Sequence, residues 1–120
     1  MVFQSRSFKA METGVSLAWM QQRIHNHNIA NYDTPGYKAK SIVFSETLTR
    51  ARGADGKKKL VAGYRLVEDD STTIRPDGNN VDFDEESLSL YKTYVHYSML
   101  LDKIRHEINN HNYVIGNAPR

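Results

Sequence analysis

Asn28 to Lys38 reads NIANYDTPGYK, an abrupt break between a long amphipathic segment and a polar middle. Thr34 precedes a proline and is pushed out of the helical region, Pro35 presets the first corner of a turn, and Gly36 supplies the positive φ of the second. A type II turn at Thr34–Tyr37 follows. Asn31 is one of the few non-glycine residues that tolerates a left-handed helix cap, so the preceding helix should end between Ala30 and Asp33.

Upstream of the break, apolar or small residues recur at Phe8, Met11, Val15 and Ala18, and a second row runs Leu17, Met20, Ile24. Together they form the apolar stripe of an amphipathic helix from about Ser7 to Ala30. Gly14 lies inside it and should cost ~1 kcal/mol relative to alanine. At the other end of the chain Leu90, Tyr94, Tyr97, Leu101, Ile104, Ile108, His111 and Ile115 alternate four and three residues apart, a heptad seam carried to the tail. Asp82 with Glu85 resembles a capping box, and Asp84, Glu85 and Glu86 place negative charge on the positive end of a helix beginning near Phe83. Continued to Tyr113, that helix spans about 46 Å, a length that points to a coiled coil or an assembly.

The middle is too long for a structureless loop. Leu60–Val67 has strand-like content, Thr72–Ile74 has the content of another short strand, Ser45–Arg52 suits two helical turns, and GADGKKK at Gly53–Lys59 reads as an exposed turn. A further turn is expected at Pro76–Gly78. The fold expected is mainly α: an N-terminal amphipathic helix (1–33), a turn and polar middle that is partly β or disordered (34–81), and a C-terminal heptad helix and tail (82–120), the helices forming a hairpin.

The break at Asn28–Lys38 resembles the signature of the flagellar basal-body rod protein family, in which an asparagine-rich helix end runs directly into TPGY. Asn28, Ala30, Asn31, Thr34, Pro35, Gly36 and Tyr37 stand in register with it. Asp77–Asp84, DGNNVDFD, is similar to the pattern of the proximal rod subunits within that family. The resemblance implies a structural subunit of the bacterial flagellum that assembles through its terminal helices into the axial drive shaft for motility. It also implies partners among other rod and basal-body proteins, copies of itself and the flagellar export apparatus. Met11, Val15, Ala18 and Ile24 on the first helix, and Leu90, Tyr94, Tyr97, Leu101, Ile104 and Ile108 on the second, are the expected assembly surface.

Composition is consistent with this reading. A chain of 120 residues forms one domain that buries about two-thirds of its unfolded surface. With 39% hydrophobic residues it has little material for a generous private core. The absence of cysteine removes disulfides and thiolate chemistry. A formal charge of +2 is too small to argue for nucleic acid. No segment has the apolar run of a membrane span or of a secretory signal, which by general rules describes a soluble cytoplasmic protein. The resemblance implies instead export to the basal body through the flagellum's own type III channel, without a cleaved signal.

The chemical motifs are weak. His106–Glu107 begins an apparent HExxH, but Asn110 takes the second histidine's place and His111 falls one residue late, so the imidazoles do not share the face zinc requires. His25 and His27 lie two apart and point to different sides of a helix. Asp77–Glu86 is acidic, but Gly78 directly after Asp77 breaks the calcium-loop order, and a turn feeding a helix cap is the better reading. Lys57, Lys58 and Lys59 on a glycine-flanked loop read as solvated charge. Tyr91, Tyr94 and Tyr97 have helical spacing that favours packing over base stacking. No catalytic, cofactor or metal residues are expected.

Asparagine and histidine crowd His25–Asn28 and again Asn109–Asn112. They are read either as exposed polar residues or as buried amides that fix register between packed helices. In an antiparallel hairpin the two clusters lie at opposite ends, so any contact between them would need another subunit. Two further classes fit parts of the sequence: a basic nucleic-acid binder, from the lysine loop and basic isoelectric point, and a stand-alone helical adaptor or chaperone, from the heptads.

Overall fold

A computed structural model describes residues 2–47, 61–72 and 74–119. After a single 3-10 turn at Val2–Gln4, the chain forms α1 (Arg6–Ala30), β1 (Lys40–Thr47), β2 (Val61–Glu68) and α2 (Phe83–Gly116). The helices pack as an antiparallel pair. The site where a Gly14 Cβ would stand is 3.3 Å from Leu100 Cδ1, and His25 and Asn28 meet Glu86 near the other end.

Each helix starts where its capping chemistry lies. The Ser5 hydroxyl accepts from Phe8 N–H at the start of α1, and Asp82 Oδ1 accepts from Asp84 and Glu85 N–H at the start of α2. The latter helix carries Asp84, Glu85 and Glu86 in its first turn and runs three residues beyond Tyr113. Helix α1 stops at Ala30 as expected, but by a different device. Asn31 has φ −99°, outside the left-handed region, and caps the helix through its side chain, whose Nδ2 donates to His27 O at 2.8 Å. The Thr34–Tyr37 turn forms with Gly36 at φ 71° and a hydrogen bond from Tyr37 N–H to Thr34 O.

The middle section is an antiparallel hairpin paired from Lys40↔Glu68 to Thr47↔Val61. This confirms strand structure over Val61–Val67 and corrects the helical reading at its start, Ser45–Thr47. Ser45–Thr47 pair with Val61–Gly63, and cross-strand pairing overrides the local helix preference. Residues 48–52, the 53–59 turn and Leu60 lie outside the described residues. Thr72 and Ile74 are not strand, because the chain there is already turning toward the Arg75–Gly78 turn, closed by Gly78 N–H to Arg75 O. Thr73 lies outside the described residues.

The molecule is elongated, 71 × 36 × 14 Å, with a radius of gyration of 19.7 Å. A compact chain of this length would have about 14 Å. Burial matches that shape. Among the described residues the buried hydrophobic side chains are Met11, Ala18 and Val81, while Asn28, Asn79, Asn80 and Thr93 are the buried polar ones. The innermost part of the chain is therefore a polar joint rather than an oil-like core. Among the described residues no helix is long and apolar enough to cross a membrane.

Candidate functional site

The joint is built from the two segments singled out in the sequence, held together by three asparagines. Asn28, fully buried near the end of α1, uses its whole amide. Its Nδ2 donates to Lys40 O (2.8 Å) and Glu86 Oε1 (2.9 Å), and its Oδ1 accepts from Lys40 N–H (3.0 Å) and the Tyr37 hydroxyl (3.0 Å). Two donors and two lone pairs are all an amide has. One side chain thereby ties α1 to the turn, to the first residue of β1 and to the first turn of α2.

Asn79 does the same for the loops. Its Nδ2 faces the carbonyls of Asn31, Tyr32 and Thr34 at 2.8–2.9 Å, and its Oδ1 accepts from Val81 N–H and Arg75 Nη2. The three carbonyls belong to the end of α1 and the start of the turn, so Asn79 satisfies acceptors that the helix cannot. Asn80 clamps the base of the hairpin. Its Oδ1 accepts from Ala39 N–H and its Nδ2 donates to Asp69 O, one on each strand's flank. The turns themselves meet through Gly36 N–H donating to Asp77 O at 2.9 Å. Gly78, at φ 84°, lies against Gly36, where its Cβ would stand 3.7 Å from the Gly36 Cα.

Charge completes the joint. Glu86 accepts from Asn28 on one oxygen and lies 2.6 Å from His25 Nδ1 on the other, so His25 presents its N–H there. His27 Nδ1 reaches the Tyr37 oxygen at 2.8 Å, extending the chain of hydrogen bonds to the surface. Burial of the Tyr37 phenol, followed by the carboxylates of Glu86 and Glu68, raises its pKa above the ordinary value. Arg75 stacks its guanidinium 3.8 Å above the Tyr32 ring, donates to Tyr32 O and Asn79 Oδ1, and approaches Asp33. The Tyr32 ring also packs edge-to-face with Phe83, centroids 5.8 Å apart. On the hairpin's outer flank, hydrogen bonds from Ser71, followed by one from Thr72, hold the Asp69 carboxyl below its usual range.

The seven motif residues thus divide by task. Asn28, Asn31, Thr34, Gly36 and Tyr37 bond within the joint, Thr34 through a 3.1 Å bond to Asn31 Oδ1, while Ala30 and Pro35 are exposed. Of the expected assembly surface, Met11 and Ala18 are buried against α2, and Val15, Ile24, Leu90, Tyr97, Ile104 and Ile108 are half-buried. Tyr94 and Leu101 are exposed. The seam facing α1 also uses Thr93 and Leu100, one residue before Tyr94 and Leu101, so the heptad row lies partly on the flank of the helix pair. Of the two asparagine clusters, Asn28 is buried with partners in its own chain, whereas Asn109, Asn110 and Asn112 are exposed at the opposite end.

Sequence reasoning missed Glu86, Asn79, Asn80 and Arg75 as members of the joint, although DGNN next to a helix start marked the place. It also missed a second apolar stripe on α2. Leu88, Tyr91, Val95 and Met99, spaced three, four and four, are exposed outside the seam with α1, Tyr91 and Met99 each at 66%, and Tyr91 also borders a cleft shared with α1. A cleft beside the helix pair, lined by Gln22, Asn26, Leu90 and Tyr94, contains a buried Gln22 Nε2 with no acceptor among the described residues.

No protein-family model matches the chain. Comparison with curated proteins finds close relatives along almost the whole length. The flagellar basal body rod protein FlgB of Bacillus subtilis (strain 168) is 29% identical over 116 residues, covering 88% of this chain and 90% of the relative. The FlgB of Borrelia hermsii is 32% identical over 117 residues, covering 80% and 85%. The FlgB of Proteus mirabilis is 34% identical over 105 residues, covering 71% and 74%.

Proposed function

The chain belongs to the FlgB family of flagellar basal body rod proteins and is a structural subunit of the rod; we propose that it builds the axial drive shaft through its two long helices. The carrying observation is the unfinished burial of those helices. Met11, Ala18 and Val81 are enclosed, while Tyr94, Leu101 and the outer stripe of α2 remain open to solvent. An apolar face left uncovered in an elongated subunit is completed by neighbours, at about 25 cal/mol for each Å² removed from water. The Gln22 donor, without an acceptor among the described residues, supports the same reading, because a buried unpaired amide costs about 1–3 kcal/mol until an acceptor is supplied.

In this account the polar joint sets the angle between the helix pair and the hairpin, and many weak side-chain contacts between subunits carry torque. The neighbours are other rod proteins and further copies of the chain. The subunit reaches the basal body through the flagellar export apparatus without a cleaved signal, and its task is mechanical rather than catalytic. Replacing Leu101 and Ile104 with aspartate puts two charges on the assembly face and should abolish incorporation into basal bodies while the exported chain remains detectable. Normal rods built from that variant would contradict the proposal. Mass spectrometry of the incorporated chain tests the export route: an intact amino terminus is expected, and a trimmed one would contradict it.

A further inference from the structure

An open groove of about 350 Å³ separates α1 from the hairpin. Met20 and Ile24 form one wall, Ile42 and Leu66 the other, and Arg23 and Lys40 stand among the lining residues, Lys40 with its ammonium 3.7 Å from the Glu68 carboxylate. The hairpin residues in this groove belong to one face of the sheet, since Lys40, Ile42 and Phe44 pair with Glu68, Leu66 and Tyr64 at alternate positions. That face is apolar and turned toward α1, yet Leu66 is still half exposed. The two walls face each other across a space that no described residue fills.

The outer stripe of α2 has the complementary character. Leu88, Tyr91, Val95 and Met99 lie along about 16 Å of helix, and the stripe begins at the exposed acids Asp84 and Glu85. The groove thus offers an apolar trough edged by the Arg23 guanidinium, and the stripe an apolar ridge with an acidic leading end. Both surfaces sit at the same level of the helix pair, because Gln22 and Asn26 of α1 share a cleft with Ser87 and Tyr91 of α2. The groove lies between α1 and the hairpin, whereas the stripe lies on α2 outside its seam with α1.

We propose that the groove between α1 and the hairpin receives the outer face of α2 from a second copy of this chain. The contact is heterologous, each copy giving its stripe to one neighbour and its groove to the next. Such a contact repeats into a closed ring or a helical tier. Because groove and stripe share a level, the copies stand side by side rather than end to end. The proposal rests on the rod reading above and adds the identity of the lateral neighbour and the surfaces that meet.

The chain has no cysteine of its own, so engineered thiols report on it cleanly. Cells would carry L66C and Y91C on one chain, or either alone, and isolated basal bodies would be oxidised and run without reductant. The expected result is a ladder of multimers joined through positions 66 and 91 in the double variant and no multimers in either single variant. Basal bodies that contain the double variant only as monomer, or linked to a different protein, would overturn the lateral contact and leave the rod reading standing. Linking by a single variant alone would overturn it too, by showing copies that meet through like surfaces. Absence of the unaltered chain from basal bodies would remove both readings.

Charge exchange supplies the second measurement. D84R places a cation against Arg23 and should lower incorporation roughly tenfold, as like charges across an interface do. R23D should lower it similarly, and the two together should restore it. Wild-type incorporation by both single variants, or no restoration in the pair, would overturn the proposal.

Discussion

Asn28 and Glu86, 58 residues apart in sequence, are joined by a 2.9 Å hydrogen bond from Asn28 Nδ2 to Glu86 Oε1. It connects the last turns of α1 to the first turn of α2. Since the Asn28 amide makes three other bonds, both of its N–H donors and both of its oxygen lone pairs are in use. Truncating it as N28A should destabilise the chain by about 3 kcal/mol, since the Glu86 carboxylate and the Lys40 N–H both lose a buried bond. Urea unfolding measures this, and a loss under 1 kcal/mol would show that water replaces the amide.

Asn28→Asp tests the charge in the joint. It places a second carboxylate beside Glu86, so the variant should be markedly weaker than wild type at pH 7 and recover as acid protonates one of the pair. A deficit independent of pH between 4 and 7 would contradict the geometry.

The Tyr37 phenol has a folded-state pKa above its ordinary value. A group raised in this way contributes stability that is fully present below the unfolded value and is lost as pH rises through the folded value. Stability should therefore be insensitive to this group from pH 7 to about 10 and fall above it. Y37F, which cannot ionise, should show a shallower decline there despite a lower starting value. Equal alkaline slopes for the two proteins would contradict the assignment.

Asn79 closes the contact between the two turns. N79A should raise hydrogen exchange at the Gly36 and Asn80 amides by about tenfold or more, the equivalent of one typical hydrogen bond. Exchange in the middle of α1 should change less. Uniform acceleration along the chain would mean that Asn79 supports global stability rather than the joint.

Gly14 separates local propensity from helix packing. Alanine there gains about 1 kcal/mol of helix preference, while its Cβ would meet Leu100 Cδ1 at 3.3 Å. Leu100 is only half-buried and can turn aside, so G14A should raise the melting temperature slightly, whereas G14V should lower it. A loss in G14A would show that the helix approach is rigid at this level.

Much of this architecture was legible in the residues. Proline before glycine placed the Thr34–Tyr37 turn, the aspartate at position 82 placed the start of α2, and periodicity placed both helices. Local signals failed where distant partners decide. Ser45–Thr47 has helix-compatible neighbours but becomes strand because Val61–Gly63 pairs with it. Asn28 looked equally suited to solvent, since its four partners lie in the turn, in β1 and in α2. Asn79 and Asn80 read as turn formers, which they are, but their amides act on backbone groups more than ten residues away, beyond the reach of any spacing rule. The stripe at Leu88, Tyr91, Val95 and Met99 was hidden by the stronger heptad row on the same helix.

The most direct test of the rod account is imaging of basal bodies isolated from cells lacking this chain, beside the same cells carrying it again. The account predicts ring structures without a rod in the first and complete rods in the second. Intact rods and normal filaments in cells without the chain would contradict it.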